Sequence, residues 1–274
     1  MKTILITGCS TGIGYYCATR LHKAGYKVIA SCRKQSDVDN LISQGLTCIK
    51  LDLACNNSIH DGFKKALELC DGQLDALFNN GAYGQPGALE DLPTDALRKQ
   101  FEINVFSWHT LTNLAVRHMR VRGEGRIIHN SSVLGLVALP YRGAYNASKF
   151  ALEGLADTMR MELSRTNIQV SLIEPGPIVS KFRENALQAF INTINIKNSA
   201  HSENYQKQLD RLESNSAPQV FTLEPDAVYQ KLLHALKAQK AKPRYYVTFP
   251  TYLMGFLKRV LSTRIMDWFL LRNG

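Results

Sequence analysis

TILITGCSTGIGYYCATRLHKAGYKVIAS, residues 3–31, decides how the chain folds. Residues 3–7 are apolar and β-compatible, and a second such run covers residues 27–31 after Gly25. Between them stand Gly8, Gly12 and Gly14, followed by a helical pattern to about Ala24. A strand, a glycine turn, a helix and a second strand within about 30 residues form a complete unit. Glycines at the turn let backbone approach a pyrophosphate, and the helix N-terminus favours its negative charge. Outside this context, three glycines would read as a plain turn.

The alternation continues outward. Strands are expected near residues 46–51, 74–79, 125–130, 169–173 and 244–247. Helices are expected near 57–70, 94–122, 145–166 and 226–240. Nearly all-apolar strands alternating with helices imply a single α/β domain with a doubly wound, mainly parallel seven-stranded sheet and helices on both faces. Such sheets bind ligands beyond the carboxyl ends of their strands. The glycine turn, Asn79-Asn80, Ser132 and Pro175-Gly176 all fall there. Residues 1–247 form this domain, residues 180–218 read as a substrate lid, and residues 248–274 as an amphipathic helical tail. In the tail, Met254, Leu257, Leu261, Ile265 and Trp268 recur at helical spacing.

The end of the second strand discriminates between cofactors. NAD sites place a carboxylate there for the ribose 2′-hydroxyl, and NADP sites a cation for the 2′-phosphate. The chain reads Ser31-Cys32-Arg33-Lys34-Gln35, with no acid until Asp37. Arg33 can fork onto a phosphate, so NADP(H) is preferred and NAD(H) remains possible. Otherwise Arg33 and Lys34 simply begin a solvated loop. Asp52 ends the third strand, where it either accepts from an adenine amino group or caps the next helix.

A second stretch, NSSVLGLVALPYRGAYNASKF (residues 130–150), carries the reactive side chains. Tyr145 and Lys149 are four residues apart, one turn on one helix face. Ser132, at a strand end, converges on the phenol. A phenol with a pKa near 10 is a poor acid–base group at neutral pH. A nearby ammonium stabilises phenolate, so Lys149 is expected to lower that pKa. Leu136, Val137, Leu139 and Tyr141 suggest an apolar substrate wall, joined by Tyr83 and by Phe182, Leu187 and Phe190 of the lid.

Composition narrows the rest. The 274 residues are 45% hydrophobic, with a net charge of +10 and a pI near 9.3. A basic balance favours anionic partners, but no long Lys/Arg run, zinc-finger spacing or RNA-binding aromatic motif appears, so no nucleic acid is expected. The tail's basic residues permit membrane-surface contact, although packing on the domain or a second copy is the plainer reading. The six cysteines form no C-x-x-C and no metal-ligand pattern, so reduced thiols, a cytoplasmic location and no metal are expected. No signal segment or apolar run of membrane-spanning length is apparent.

With Thr7-Gly8-x-x-x-Gly12-x-Gly14, Ser132, Tyr145-x-x-x-Lys149 and Pro175-Gly176 in this order, the chain resembles the short-chain dehydrogenase/reductase family from Thr3 to about Val247. LPYRGAYNASKFALEGL and LIEPGPI are similar to a branch with 17β-hydroxysteroid dehydrogenases, retinol dehydrogenases and bacterial aldehyde or ketone reductases. The resemblance implies a Rossmann-type fold and NADP(H)-dependent interconversion of a hydrophobic aldehyde or ketone and its alcohol. It implies a catalytic tetrad of Asn104, Ser132, Tyr145 and Lys149, with Asn104 holding a relay water. Near the cofactor it implies Gly8, Ser10, Thr11, Gly12, Ile13, Gly14, Arg33, Asp52, Leu53, Asn80, Tyr145, Lys149, Pro175, Gly176 and Ser180. For substrate it implies Ser132, Leu139, Tyr141 and Tyr145. It also implies a homodimer or homotetramer, joined through the helices beginning near Thr94 and Tyr145. Two positions depart from the pattern. Gly81-Ala82 stands where Ala-Gly is usual, and Ser107 where Gly is common. A nucleotide-sugar epimerase is disfavoured by the glycine spacing and the short chain after Pro175. A non-catalytic NAD(P)H sensor or scaffold would not need all four reactive side chains.

Overall fold

The computed structural model describes residues 2–213 and 221–273. In chain order these form β1 (Thr3–Ile6), α1 (Gly12–Lys23), β2 (Lys27–Cys32), α2 (Gln35–Ser43), β3 (Thr47–Lys50), α3 (Asn56–Leu69) and β4 (Ala76–Asn79). Next come α4 (Thr94–Phe101), a π turn (Glu102–Phe106), α5 (Ser107–Arg122), β5 (Glu124–Asn130), α6 (Gly143–Glu162) and β6 (Asn167–Glu174). The chain closes with α7 (Phe182–Thr193), α8 (Ser202–Glu213), α9 (Asp226–Lys237), β7 (Arg244–Tyr246), α10 (Phe249–Val260) and α11 (Thr263–Asn273).

All seven strands run parallel in the order β3-β2-β1-β4-β5-β6-β7. The order reverses between β1 and β4, and that crevice receives the glycine turn. Because side chains alternate across the pleat, Ile4 and Ile6 enter one core and Leu5 the other. The first core lies under α1, α2 and α9, through Leu21, Val38, Leu41, Val228 and Leu232. The second lies under α3, α5 and α6, through Phe63, Trp108, Leu111, Leu152 and Ala156. Burial on both faces explains the apolar run at the centre of most strands, as in Ile4–Ile6, Val28–Ala30 and Ala76–Phe78.

Three differences from the expected elements have physical reasons. The helix over 94–122 is interrupted by a π turn that contains Asn104, a distortion that recurs at functional sites. α2 lies in a polar stretch whose only buried residues are Val38 and Leu41, which is why no apolar period announces it. The tail is two helices rather than one. Leu261 takes an extended conformation after α10, and Ser262-Thr263, residue types that favour helix starts, begin α11. Met266 and Leu270 then face the domain, while Ile265 and Trp268 stay exposed.

The excursion expected over 180–218 contains α7, a short 3₁₀ turn at Ile196–Asn198, and α8. Residues 214–218 lie outside the described residues. Its inner face is anchored: Phe190, Ile194 and the fully buried Tyr205 pack with Ala88. The Tyr205 hydroxyl accepts from the Ala88 N–H at 2.8 Å and donates to Asp91 at 2.5 Å.

Candidate active site

Three strand ends are stitched together at the switch point. Thr7, fully buried, accepts at Oγ1 from the N–H groups of Asn80 and Gly81, both at 2.9 Å. Asn80 Nδ2 donates to Thr7 O at 2.9 Å, and Asn130 Nδ2 donates to Asn80 Oδ1 at 2.9 Å. This fixes the turn that leaves β1. Gly8 has φ +70°, and a Cβ there would lie 2.5 Å from Gly81 Cα. A Cβ on Gly14 would lie 2.2 Å from Gly8 O, so neither position admits a side chain without moving backbone. The Gly81-Ala82 exchange has its account here, because the smaller residue sits against Gly8.

The helix that follows is open to an anion. Thr11 precedes α1 without a side-chain capping bond, and the first turn has no acid. Its leading N–H groups therefore want an external acceptor. Gly8, Ser10, Thr11, Gly12 and Ile13 line one end of a cleft of about 850 Å³, and Ser180 sits over Gly12. Asn130 Oδ1 is buried there without a partner. A cradle closed to side chains but open to anions fits a dinucleotide.

The reactive side chains stand across this cleft. Ser132 is extended, accepts from Leu134 N–H at 3.1 Å, and hydrogen-bonds the Tyr145 phenol in the sense that favours phenolate. Phe182 meets the Tyr145 ring edge-on at 5.3 Å. Lys149 is buried one turn along α6. Its Nζ donates to Asn130 O at 2.8 Å and lies 5.5 Å from the centre of the Tyr145 ring and 4.5 Å from that of Trp108.

The electrostatics correct one expectation. The Tyr145 phenol is not lowered: burial pushes it up to about 12, against the opposing effects of Ser132 and the Arg142 charge. Burial likewise pushes the Lys149 ammonium down to about 7, against the pull of Glu153. For both groups the loss of water on burial outweighs the neighbouring charges.

Asn104 acts as a brace. It is fully buried, and its Nδ2 donates to Tyr83 O at 2.9 Å and to Ser148 Oγ at 3.3 Å. Its Oδ1 accepts from Tyr83 N–H at 3.2 Å. The amide thus ties the loop after β4 to α6, and its side-chain bonds are taken by protein. Ser107 is accommodated in the helix by donating to Ile103 O at 2.6 Å.

The remaining expected residues divide. Leu139, Tyr141, Pro175 and Gly176 line the cleft. Gly14 lies behind the turn, and Leu53 is buried in the second core beneath Gly81. Asp52 accepts from Ala54 N–H at 2.9 Å, closing a turn before α3. Arg33 is exposed just past β2, outside the cleft lining, with no ion-pair partner among the described residues. Of the expected apolar wall, Val137, Phe182 and Phe190 reach the cleft, whereas Leu136, Leu187 and Tyr83 do not. The tail supplies an unexpected part of the wall through Leu253, Met254, Phe269 and Leu270. Trp108 and His129 were also without a sequence signal. They stack at 5.9 Å beneath Lys149, and burial holds His129 down to about 3, hence neutral. Asn130 was in view only as the first residue of its stretch, yet its carbonyl anchors the lysine.

Comparison with known proteins places this arrangement. The short chain dehydrogenase family model matches residues 2–189. The chain belongs to this family. As a short-chain dehydrogenase/reductase it is an NAD(P)-dependent oxidoreductase acting on CH–OH groups. It is similar to the uncharacterized oxidoreductase YbbO of Escherichia coli K12, with 40% identity over 97% of this chain and 93% of that one. A Schizosaccharomyces pombe protein named NADPH-dependent 1-acyldihydroxyacetone phosphate reductase is 31% identical over 85% of this chain and 78% of its own. A short-chain dehydrogenase structure from Streptomyces avermitilis superposes with a TM-score of 0.76 at 24% identity, covering 100% of this chain and 97% of that one.

Proposed function

We propose that this short-chain dehydrogenase/reductase uses NADP(H) to interconvert a hydrophobic aldehyde or ketone and its alcohol, with Tyr145 as the acid/base. The observation that carries this reading is the convergence of Ser132, Tyr145 and Lys149 across an apolar-walled cleft from a side-chain-free glycine cradle. When bound, the nicotinamide supplies or takes the hydride. In the reductive direction Tyr145 gives its phenolic proton to the carbonyl oxygen, and Ser132 hydrogen-bonds the same oxygen. Lys149, anchored by Asn130 O, supplies the positive charge that lets phenolate form. Asn104 keeps the loop before α4 and helix α6 in register beside them.

Gly8, Ser10, Gly12, Ile13 and Asn80 are the residues suited to hold the pyrophosphate end, with Ser180 closing over Gly12. The preference for NADP(H) is supported by the exposed Arg33 where a carboxylate would serve NAD. The name of the S. pombe relative agrees with it. The excursion formed by α7 and α8 selects substrate through Phe182 and Phe190. Exposed Phe106, Leu155 and Met161 on the long helices support a homodimer or homotetramer built on α5 and α6.

The test is NADPH oxidation across aliphatic, aromatic, steroid and retinoid carbonyls, with NADPH and NADH affinities measured alongside. Wild type turns over apolar carbonyls and binds NADPH more tightly than NADH. Tyr145→Phe loses about 10²–10⁴-fold in turnover while keeping cofactor affinity. Tighter NADH binding overturns the Arg33 assignment, and full activity in Tyr145→Phe overturns the mechanism.

A further inference from the structure

We propose that the outer face of α10 and α11 docks on an anionic phospholipid bilayer, setting the mouth of the cleft against the lipid. The two helices have opposite faces with different fates. Inward, Met254, Leu257, Met266 and Leu270 pack against Val137 and Leu139 and fasten the pair to the domain. Outward, α10 presents Phe249, Tyr252, Phe256 and Val260, each more than half exposed. Their spacing of three, four and four residues makes one stripe along the helix. α11 continues the surface with Ile265, Trp268 and Leu271, also more than half exposed. Seven large apolar side chains left in water on two adjacent helices call for a partner.

The charges say which partner. Arg259 lies three residues from Phe256 and Arg264 four from Trp268, on the same faces as the apolar stripe. Both are exposed and without a carboxylate partner among the described residues. Arg272 rests over the Trp268 ring at 4.2 Å. Lys258 lies at the edge, bonded to Leu136 O with its ammonium 4.4 Å from the centre of the Phe150 ring. Asp267 is the single acid of the two helices. A second copy seated face to face would bring these cations together, because a two-fold contact repeats the same patch on both sides. A lipid surface with anionic headgroups instead receives aromatic rings and cations at one depth.

The position of this face matters. Phe249 and Phe221 are both exposed, their rings 5.1 Å apart, and both line the cleft together with Pro250, Leu253 and Phe269. The apolar surface therefore runs without a break from the outside of the tail into the cavity. Neither helix is long enough to cross a bilayer, so the pair lies flat on it. An apolar molecule leaving the lipid would meet Phe221 and Phe249 before it met water.

Sedimentation of the full chain with vesicles reads this directly and needs no turnover, so it stands or falls apart from the reaction. With vesicles of phosphatidylcholine and about one third phosphatidylglycerol, wild type pellets at low salt and is released by high salt. With phosphatidylcholine alone, the bound fraction falls at least ten-fold. The double substitution Phe256→Asp and Trp268→Asp, and separately Arg259→Glu with Arg264→Glu, each weaken partitioning at least ten-fold without lowering Tm, since all four side chains are exposed. The second pair keeps the test valid if the first fails to fold. Wild type remaining in the supernatant, binding uncharged vesicles equally well, or keeping its affinity in both variants overturns the proposal. So does a dimer, seen by sedimentation velocity without lipid, that the Asp substitutions convert to monomer.

Discussion

Two buried charged clusters sit one turn apart on α6, and they are built on opposite principles. At Lys149 a single ammonium is buried with no carboxylate bonded to it: one backbone carbonyl and two aromatic faces hold it. At Glu153 the charges are densely paired. Arg244 Nη2 meets Glu153 at 2.9 Å and Asp157 at 2.7 Å, and its Nε lies 3.1 Å from Glu174. Ser131 Oγ donates to Glu153 at 2.5 Å. The first cluster leaves its cation under-compensated, so the proton on it is loosely held. The second sets one guanidinium among three carboxyl groups and joins α6 to β6 and β7. A site that must change charge tolerates what a brace cannot.

The largest effect that tests this contrast is on stability. Arg244→Met strands the buried Glu153 without its cation, while Asp157 keeps Arg160 at 3.0 Å, and is expected to cost about 3 kcal/mol in denaturant unfolding. A loss under about 1 kcal/mol would mean that water or rearrangement replaces the guanidinium, and the brace would be an incidental cluster.

Lys149→Met should do the reverse. Carbonyl reduction falls about 10²-fold or more, because phenolate loses its cation. Stability changes far less than in Arg244→Met, because no carboxylate is orphaned. The protonation itself has an optical reporter, since Lys149 Nζ sits 4.5 Å from the Trp108 ring. In a Trp268→Phe background, fluorescence of the cofactor-free protein should step near pH 7, where the Lys149 ammonium titrates. Lys149→Met removes the step. His129, stacked on the same indole and held neutral down to about pH 3, does not account for it.

These clusters also mark where reading the chain as a string succeeds. Gly8 to Gly14 and the Tyr145–Lys149 pair are legible because their meaning is local: a turn or one helical repeat fixes the geometry. All seven strands are found within about two residues of their expected places, because burial on both faces gives most of them an apolar centre. Arg244 meets Glu153 across 91 residues, and nothing near either residue announces the other. Trp108 beneath Lys149 is a contact of the same long-range kind. Even where Ser132, Tyr145 and Lys149 do converge, the direction of the Tyr145 shift differs from the expected one, because spacing reports which charges are near and not how little water surrounds them. The tail shows a further limit. Its apolar residues were visible, but the break at Leu261 decides which of them turn inward.

The smallest expected effect concerns the second carboxyl of the brace. Neither oxygen of Glu174 forms a well-directed hydrogen bond, although Arg244 Nε is close. Burial, with the Glu153 charge adding to it, pushes Glu174 up from 4.5 to about 9, so it is a neutral acid at pH 7. The folded protein then holds a proton that the unfolded chain releases above about pH 4.5. This group's contribution to stability therefore falls as pH rises from about 4.5 towards 9, with a slope of at most about 1.4 kcal/mol per pH unit. Lys149 contributes the opposite slope, but only above about pH 7, where the folded state has already released a proton that the unfolded chain still binds. His129, held neutral while the unfolded imidazole still binds a proton, also contributes the opposite slope below about pH 6.5, so the Glu174 share is read as the difference between wild type and a Glu174 variant, in which the His129 and Lys149 shares cancel. Glu174→Gln supplies a group that is neutral at every pH. Its stability should lie within about 1 kcal/mol of wild type at pH 5 and should gain on wild type as pH rises through 7. A variant with the wild-type slope would place the proton on Glu153 instead, and the two carboxyls would exchange roles in the comparison with Lys149.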